Sequence, residues 1–373
     1  MSDSPASKID LFTVVGARPQ FIKSAALTRV LEKEGLTQYL LHSGQHADAE
    51  MGLDLLEELG VPGPDIVLSP RQENRSMRMA DMLNGVADQI RRVNPAMVVV
   101  YGDTDSTLAG ALAAHHAGVP LVHIEAGLRS GDRSMPEEHN RIMTDQLSDL
   151  LFTTGPEAGS QLIKEGIAAD RVVEVGDVML DLALAVQPLL GNRIPKQWPT
   201  AGPILTVTLH RPSTVDQKEV LAGALEAMRT WMESTGGSVY FPVHPRTRYA
   251  MDRFGLGLPE GAVDPGPLSY MDMQSALYNA SRVLTDSGGV QKEAWYQGTP
   301  AVILRDNTEW KALIDMGASA LYGPLSILGK GGPSGLADAL ITDMRPPSVA
   351  DSDILGCGAA ALRIAKFLRQ RLS

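Results

Sequence analysis

Residues Val98–Asp149 read VVVYGDTDSTLAGALAAHHAGVPLVHIEAGLRSGDRSMPEEHNRIMTDQLSD, and this stretch decides the fold. Two apolar runs, 97–101 and 120–124, have the length of fully buried strands and lie about a helix apart. A carboxylate follows each run, Asp103 after the first and Glu125 after the second. Because ligands bind at the carboxyl ends of strands in an open parallel sheet, we expect both side chains in one ligand site.

Two further carboxylates, Glu137 and Glu138, follow the loop after Glu125. A group of carboxylates at a sheet edge indicates acid–base chemistry or a metal ion. A metal at 103–105 is disfavoured because the neighbouring residues are Thr and Ser rather than further acids. The alternative for Glu137 and Glu138 is that they cap a helix starting after Pro136, and one could cap while the other faces the site.

The same alternation of strands and helices continues along the chain. At 373 residues the chain suits two domains, and the proline-rich segment 188–203 is the best candidate for a linker. Strands alternating with helices predict right-handed, parallel, doubly wound sheets. The predicted fold class is therefore α/β, with two Rossmann-like domains facing a central cleft. Residues 1–185 form the first domain and 186–356 the second, with the C-terminal helix 357–373 packing back on the first.

The composition argues against several classes of protein. A net charge of −11 disfavours non-specific nucleic-acid binding, although a few local Arg and Lys residues suffice for a small phosphate-bearing ligand. The single cysteine, Cys357, cannot form an internal disulfide, and no Cys/His metal spacing occurs in the sequence. The apolar run 11–17 is too short for a membrane span or a signal sequence. We therefore expect a soluble, cytoplasmic protein with no nucleic-acid or membrane partner.

The segment LTDSGGVQKEA, residues 284–294, reads as a strand, a glycine-containing turn and a helix. Ser287, Gly288 and Gly289 would present backbone N–H groups to a diphosphate at the helix N-terminus, and Glu293 could accept hydrogen bonds from ribose hydroxyls. The alternative is an ordinary turn in which Asp286 or Ser287 caps the helix. No GxGxxG or GxxxxGKS occurs, so neither an NAD fingerprint nor a Walker A loop is supported.

Cationic and imidazole groups follow other predicted strands. His210 and Arg211 come directly after the strand ILTVTL, and His244 follows the next strand. Each of these positions is compatible with a functional group in the site or with a structural, hydrogen-bonded side chain. Arg18 and Lys23 lie where the first strand passes into a helix, a place that favours anions, or they pair with surface acids.

Eight motifs together resemble the non-hydrolysing UDP-N-acetylglucosamine 2-epimerases. They occur in order between residues 11 and 323: GARPQFIK, HSGQH, YGDTDSTLAGALAA, HIEAGLRS, MPEEHNR, TLHR, PVHPRT and LTDSGGVQKEA. The resemblance implies a glycosyltransferase-B-like fold and a homodimer. It also implies inversion at C2 of a UDP-2-acetamido sugar, for surface polysaccharide precursors, with neither a cofactor nor a metal.

The reaction that the resemblance implies explains the residue types. A base removes the C2 proton while the bond from C1 to UDP breaks, which leaves UDP and a 2-acetamidoglucal. UDP then adds back while a proton reaches C2 from the other face. This chemistry needs a diphosphate clamp to stabilise the leaving group and proton-transfer groups on both faces of the sugar.

The resemblance also assigns roles to residues of this chain. The acid–base carboxylates would be Asp103, Glu125 and Glu137, and the catalytic histidine would be His210. The groups that bind the substrate and its UDP would be Arg18, Lys23, Arg211, His244, Ser287, Gly288, Gly289 and Glu293.

Three departures from the family pattern bear on the substrate. Many members have Thr-Glu-Arg-Pro where this chain has TEWK at 308–311, and the TEW form resembles the branch that acts on UDP-2,3-diacetamido-2,3-dideoxyglucuronic acid. The family's HRxEN reads HRPST at 210–214, so Glu and Asn are absent. The loop 45–48, where some members bind a second substrate molecule through QHxQ, reads QHAD.

Four alternatives to the plain epimerase therefore stay open. They are the same reaction on the diacetamido glucuronate, a hydrolysing epimerase that releases UDP and N-acetylmannosamine, a glycosyltransferase with the same UDP clamp, and a nucleotide-sugar-binding protein that has lost catalysis. Incorporation of solvent deuterium at C2 separates an active epimerase from the last two.

Overall fold

The structure is a computed structural model that describes residues 9–45, 54, 56–200, 202–329, 331–349 and 354–373. The chain divides into two compact units: the first comprises residues 1–182 and 354–373, and the second comprises residues 183–353. Residues 46–48 of the loop discussed above lie outside the described residues.

In the described part of the first unit, seven strands form one parallel sheet in the order β3-β2-β1-β4-β5-β6-β7. The strands are β1 (Leu11–Val15), β2 (Gln38–His42), β3 (Ile66–Val67), β4 (Met97–Tyr101), β5 (Leu121–Ala126), β6 (Leu150–Thr153) and β7 (Val172–Glu174). The helices between and after them are α1 (Arg18–Leu31), α2 (Arg75–Val93), α3 (Asp105–Ala117), α4 (Pro136–Leu147), α5 (Pro156–Lys164) and α6 (Val178–Leu190), whose last residues belong to the second unit.

The middle of this sheet is apolar on both faces, which is why its strands read as continuous hydrophobic runs. Every residue of β1, β4 and β5 is buried, and Phe12, Val14, Val98, Val100 and Leu121 belong to one hydrophobic cluster. Since β4 lies between β1 and β5 in a parallel sheet, the carboxyl ends of these three strands are neighbours. The residues that follow them are therefore brought to one edge.

The C-terminal helix α14 (Ala360–Leu372) belongs to the first unit. Its Phe367 packs edge-to-face on Phe152 of β6, with ring centroids 5.7 Å apart. Arg369 lies 3.1 Å from the carboxylate of Glu34. The backbone N–H groups of Ala360 and Ala361, at the start of this helix, donate to the Asp181 carboxylate.

In the described part of the second unit, five strands form a parallel sheet in the order β12-β11-β10-β8-β9. They are β8 (Ile204–Thr208), β9 (Ser238–Tyr240), β10 (Arg282–Thr285), β11 (Ala301–Ile303) and β12 (Ser319–Leu321). The helices are α7 (Pro212–Val215), α8 (Lys218–Thr235), α9 (Pro245–Phe254), α10 (Tyr270–Asn279), α11 (Gly288–Tyr296), α12 (Lys311–Asp315) and α13 (Gly332–Ile341). Because β8 and β10 pair directly, the residues after them meet at one edge.

Both units therefore consist of parallel strands with helices between them, and the predicted α/β class is confirmed. None of the helices in the described ranges is long and apolar enough to cross a membrane.

Candidate active site

The first turn of the site connects β1 to α1. The Gln20 side chain accepts hydrogen bonds from the backbone N–H groups of Gly16 and Ala17 and donates to the carbonyl of Tyr101 at the end of β4. A Cβ at Gly16 would lie about 2 Å from the hydroxyl oxygens of Ser43 and Ser106, so only glycine fits there. The turn is thus tied to β4, and half-buried Arg18 begins α1 beside it.

Lys23 and Glu125 form a buried ion pair at this edge. Lys23 Nζ donates to Glu125 Oε1 at 2.5 Å, and each side chain is 7% exposed. A Cβ at Gly102, which has φ of +63°, would lie 3.1 Å from that Nζ and 3.6 Å from that Oε1. Gly102 precedes Asp103, so the structure brings the predicted groups Lys23, Glu125 and Asp103 to one place.

Glu125 has an unusual backbone conformation. Its φ is +68°, and the pairing of β5 with β6 shifts register between Ile124 and Ala126. A non-glycine residue in the left-handed region costs roughly 1–3 kcal/mol and persists only where the surroundings enforce it. The shift turns the Glu125 side chain out of the regular alternation of the strand and towards Lys23.

Asp103 is held by helix α4. Arg141 forms an ion pair with the Asp103 carboxylate, and the Asn140 side chain donates to the Asp103 carbonyl at 3.0 Å. Glu137 lies four residues before Arg141, so the two share one face of α4, and Glu137 is exposed. The sequence reasoning missed Arg141, although it lies in the quoted stretch.

Two further acids near this edge, Glu138 and Asp105, have structural partners. Glu138 accepts hydrogen bonds from the backbone N–H groups of Ser130 and Gly131, which ties the loop after β5 to α4. Asp105 accepts bonds from Arg75 and from the Asn140 side chain. In the part of the chain that the structure describes, no group of three or more His, Cys, Asp or Glu side chains is placed to hold a metal ion.

A second pair beneath this edge was not predicted. His123, fully buried in β5, lies 2.7 Å from the Asp145 carboxylate through Nδ1 and 2.7 Å from the Gly102 carbonyl through Nε2. Arg129 in turn lies 2.7 Å from Asp145 and 2.6 Å from Glu165. An ionisable residue in the middle of a buried strand was the sequence signal for this pair, because a buried polar group requires partners.

The second unit places His210 against a buried carboxylate, Asp286. The Nδ1 atom of His210 lies 3.2 Å from Asp286 Oδ1, and the backbone N–H groups of His210 and Arg211 also donate to that carboxylate. Burial raises the pKa of Asp286, but hydrogen bonds from the His210 ring and these N–H groups outweigh it and leave the pKa below its ordinary value. Asp286 therefore stays ionised and orients the imidazole.

His244 and Arg211 lie next to this pair. The His244 ring centroid is 5.3 Å from that of His210, and its Nδ1 accepts a hydrogen bond from the backbone N–H of Arg246 as the N-cap of α9. Partial burial and the neighbouring His210 hold the pKa of His244 below its ordinary value, so the ring is neutral and can cap. Arg211 donates through Nε to the Asp286 carbonyl.

Helix α11 begins at the predicted glycine turn. Ser287 is the N-cap residue, and its hydroxyl accepts from the backbone N–H of Val290 at 3.5 Å. A Cβ at Gly288 would meet the Glu309 carboxylate at 2.5 Å and would come within 3.8 Å of Arg211 Nη2. Gly288 thus lies against the Glu309 carboxylate, and Arg211 places a cation beside the helix N-terminus.

The departure at Trp310 has a structural counterpart. Trp310 is buried, and the ammonium of Lys292, itself 2% exposed, lies 4.0 Å from the centroid of its ring. Glu309, the preceding residue, lies 3.0 Å from Arg305. Glu293 is buried in α11, next to Lys292.

Comparisons with known proteins agree with this arrangement. A family model described as UDP-N-acetylglucosamine 2-epimerase matches residues 29–369. The chain belongs to this family. It is 39% identical over 361 residues to the UDP-2,3-diacetamido-2,3-dideoxy-D-glucuronate 2-epimerase of Pseudomonas aeruginosa. This alignment covers 96% of this chain and 99% of that protein. It is 34% identical to the UDP-N-acetylglucosamine 2-epimerase of Methanocaldococcus jannaschii over 84% of this chain and 88% of that protein.

A solved structure of the M. jannaschii enzyme, in complex with UDP-GlcNAc and UDP, matches with a TM-score of 0.80 at 29% identity. The match covers 97% of this chain and 100% of that chain. The predicted family and the predicted glycosyltransferase-B-like fold class are thus confirmed, and the chain is an isomerase of the epimerase type.

Proposed function

We propose that the protein interconverts UDP-2-acetamido sugars that differ in configuration at C2, as a step in the synthesis of surface polysaccharide precursors. The single observation that carries this proposal is the edge of the first sheet, where Lys23–Glu125 and Arg141–Asp103 meet at Gly102. A binding protein or a glycosyltransferase with the same fold does not need this group of carboxylates. Membership of the epimerase family supports the same conclusion.

The reaction follows from groups that can hold and release protons. A carboxylate among Asp103, Glu125 and Glu137 takes the proton from C2 while the C1–O bond breaks and its electron pair leaves with UDP. A C1=C2 double bond forms, which gives the 2-acetamidoglucal. UDP then adds back to C1, and a second group delivers a proton to the opposite face of C2. Atoms and charge balance, and no electrons are gained or lost overall.

Each unit has its own task in this proposal. The first unit supplies the proton-transfer carboxylates, with Lys23 paired to Glu125 and Arg18 contributing a cation for the phosphates. The second unit binds UDP: the N-terminus of α11 at Ser287–Gly289 favours the diphosphate. Arg211 adds its positive charge there, with His244 beside it, and Glu293 accepts from the ribose hydroxyls.

His210 is the histidine of the reaction. Because Asp286 accepts from Nδ1–H, the other ring nitrogen is left to exchange a proton with the substrate or the leaving phosphate. Its side chain is 37% exposed, so a ligand can reach it.

A second candidate substrate is UDP-2,3-diacetamido-2,3-dideoxyglucuronate. The observation that favours it is the P. aeruginosa relative that carries this name and matches nearly the full length of both chains. The buried Lys292–Trp310 contact, at the position where many family members have arginine, also separates this chain from the plain epimerase pattern.

The test is to incubate the protein with each sugar nucleotide in deuterated water and to follow C2 by NMR. Inversion with deuterium at C2 and an intact UDP-sugar supports the proposal, and the faster substrate identifies the branch. Release of free UDP and free sugar would indicate a hydrolysing epimerase. Binding of both sugars without exchange at C2 would contradict the proposal.

The protein is further proposed to act as a homodimer in the cytoplasm, as its family resemblance implies. Light scattering on the eluate of a gel-filtration column measures the mass of the particle. A mass of one chain at micromolar protein would contradict the dimer.

A further inference from the structure

His123 lies in the centre of β5, two residues before Glu125. Its side chain has no exposed surface, and both ring nitrogens lie 2.7 Å from an oxygen: Nε2 from the carbonyl of Gly102 and Nδ1 from Oδ1 of Asp145. Both contacts are short enough to require a proton between the two atoms.

The protons can be counted from the acceptors. A carbonyl oxygen only accepts, so Nε2 of His123 carries a hydrogen. The second proton is shared with Asp145, whose Oδ2 lies 2.7 Å from Arg129 Nη2 and accepts from the backbone N–H of Gly127 at 3.3 Å. Burial raises the pKa of Asp145, but His123 and Arg129 outweigh it, so the pKa lies below its ordinary value and the carboxyl is ionised. Asp145 is thus held by the His123 ring on one side and by Arg129 on the other.

We propose that His123 is a positioning residue whose two ring hydrogen bonds hold the reacting carboxylates in register. Its ring connects the Gly102–Asp103 turn to helix α4. The effect on turnover rests on the proposed function, whereas the hydrogen bonds do not.

Two links carry the effect of His123 to the site. The first is Gly102, whose carbonyl His123 holds. A Cβ at this glycine would already touch the Lys23–Glu125 pair, so a shift of the turn displaces Asp103 and disturbs that pair. The second is α4, where Glu137, Arg141 and Asp145 lie at intervals of four residues and hence on one face. Fixing Asp145 to β5 sets the position of Arg141 and Glu137 over the sheet.

Charged groups from three parts of the first unit surround the His123 ring. Asp145 faces it from α4, and Arg129, from the loop after β5, lies on the far side of that carboxylate. Glu165, at the end of α5, lies 2.6 Å from Arg129 and offsets its charge. The turn after β4 contributes the Gly102 carbonyl, the negative end of a peptide dipole.

The hydrogen bonds of the ring are tested on the unmodified chain. With ¹⁵N-labelled histidine, ¹H–¹⁵N NMR detects ring N–H protons that exchange slowly with water. We expect one such signal from the bond to the Gly102 carbonyl, and it should disappear in His123→Gln. The exposed ring of His139, on α4, is the internal control and should give no slowly exchanging signal. The absence of a protected ring N–H on His123 overturns the proposal.

Turnover is tested with two variants that change the ring contacts separately. His123→Gln removes the ring and sets an amide against Asp145. Asp145→Asn can keep the ring and its hydrogen bond to the Gly102 carbonyl. We expect kcat for C2 exchange to fall about ten- to a hundredfold in His123→Gln, because small misplacements of reacting groups cost this much. KM should not change, and kcat should fall less in Asp145→Asn, because the bond to the Gly102 carbonyl remains.

A His123→Gln protein that unfolds like the unmodified chain yet keeps full kcat would overturn the positioning role. A fall in kcat and an equal rise in KM in both variants would also overturn it, since a general loss of structure would then explain the result. If the unmodified protein shows no exchange at C2 with either sugar nucleotide, the proposed function fails, while the NMR measurement still decides whether the His123 ring is hydrogen-bonded to the turn.

Discussion

The two units each contain a histidine–aspartate pair near the carboxyl edge of their sheet, and the two pairs differ in exposure. In His123–Asp145 both side chains are fully buried, and both nitrogens of the ring are engaged by acceptors 2.7 Å away. In His210–Asp286 the carboxylate is fully buried, but the histidine side chain is 37% exposed and its nitrogen lies 3.2 Å from the carboxylate.

The difference shows how one pair of residue types serves two tasks. A proton on His123 has no path to a substrate, so the pair contributes position. A proton on His210 can pass to a ligand, while buried Asp286 orients the ring. Exposure of the imidazole, rather than the identity of its partner, separates the roles. Changes to each pair should therefore have different consequences.

The largest effect is expected for His210→Gln. Removal of a positioned proton-transfer group lowers rates by about 10²–10⁴-fold, so kcat for deuterium incorporation at C2 should fall within this range. KM and the melting temperature should change little, because the lost ring is partly exposed. Steady-state NMR assays with the sugar nucleotide that turns over faster measure kcat and KM, and thermal unfolding measures the melting temperature.

His116→Gln, at the exposed end of α3, is the matched control and should retain full activity. If His210→Gln retains more than about a tenth of the rate, the half-exposed histidine is not a proton-transfer group and the contrast between the pairs is lost.

Asp286→Asn should have the next largest effect. The new amide can still accept from the backbone N–H groups of His210 and Arg211, but its NH₂ group facing Nδ1 forces the ring into the other tautomer. The outward nitrogen then carries the hydrogen, and catalysis by proton uptake is lost, so kcat should fall about 10²-fold or more. A pH–rate profile is the measurement, and an unchanged profile with unchanged kcat would show that Asp286 does not orient His210.

Particular residues show how far the sequence could be interpreted. The alternating runs predicted the two parallel sheets, and the strand ends led to Asp103, Glu125 and His210 because parallel strands bring their carboxyl ends together. Partners distant in the chain were not predictable. Arg141 reaches Asp103 across 38 residues, and Asp286 reaches His210 across 76. Local pattern contains no information about such pairings, nor about the left-handed backbone that turns Glu125 out of β5.

The departure at Trp310 illustrates the same point. From the sequence it was a missing cation, because an arginine is common there in the family. In the structure a cation is nevertheless present, since Lys292 from α11 packs its ammonium on the Trp310 ring. Only the folded chain places residues 292 and 310 together.

A smaller effect, common to both pairs, is expected on acid stability. The pKa values of Asp145 and Asp286 lie below their ordinary values in the folded protein. Each carboxylate therefore stabilises the fold above the unfolded pKa of about 3.9, and this contribution is lost as the pH falls through the lowered folded value. Asp145→Asn and Asp286→Asn should each lose about 1–3 kcal/mol at neutral pH.

Urea unfolding between neutral pH and about pH 3 tests this prediction. The difference in free energy of unfolding between each variant and the unmodified chain should shrink as the pH falls. A difference that stays constant would mean that the cost of the substitution arises from packing rather than from ionisation.

The smallest effect is expected for Asp181, a carboxylate outside both histidine–aspartate pairs. Burial raises the pKa of Asp181 to about 6, although the N–H groups of Ala361 and Ala360 and the more distant charge of Arg363 act against the rise. Its folded pKa lies above the unfolded one, so stability is complete below about pH 4 and is lost as the pH rises through about 6. Asp181→Asn should therefore raise the free energy of unfolding by about 1–2 kcal/mol above pH 7 and change it little near pH 4.

An equal change at both pH values would show that ionisation of Asp181 is not the cause. The opposite sign from Asp145 and Asp286 would establish that the hydrogen-bond partners of the two pairs, rather than burial alone, set the pKa of a carboxylate in this fold.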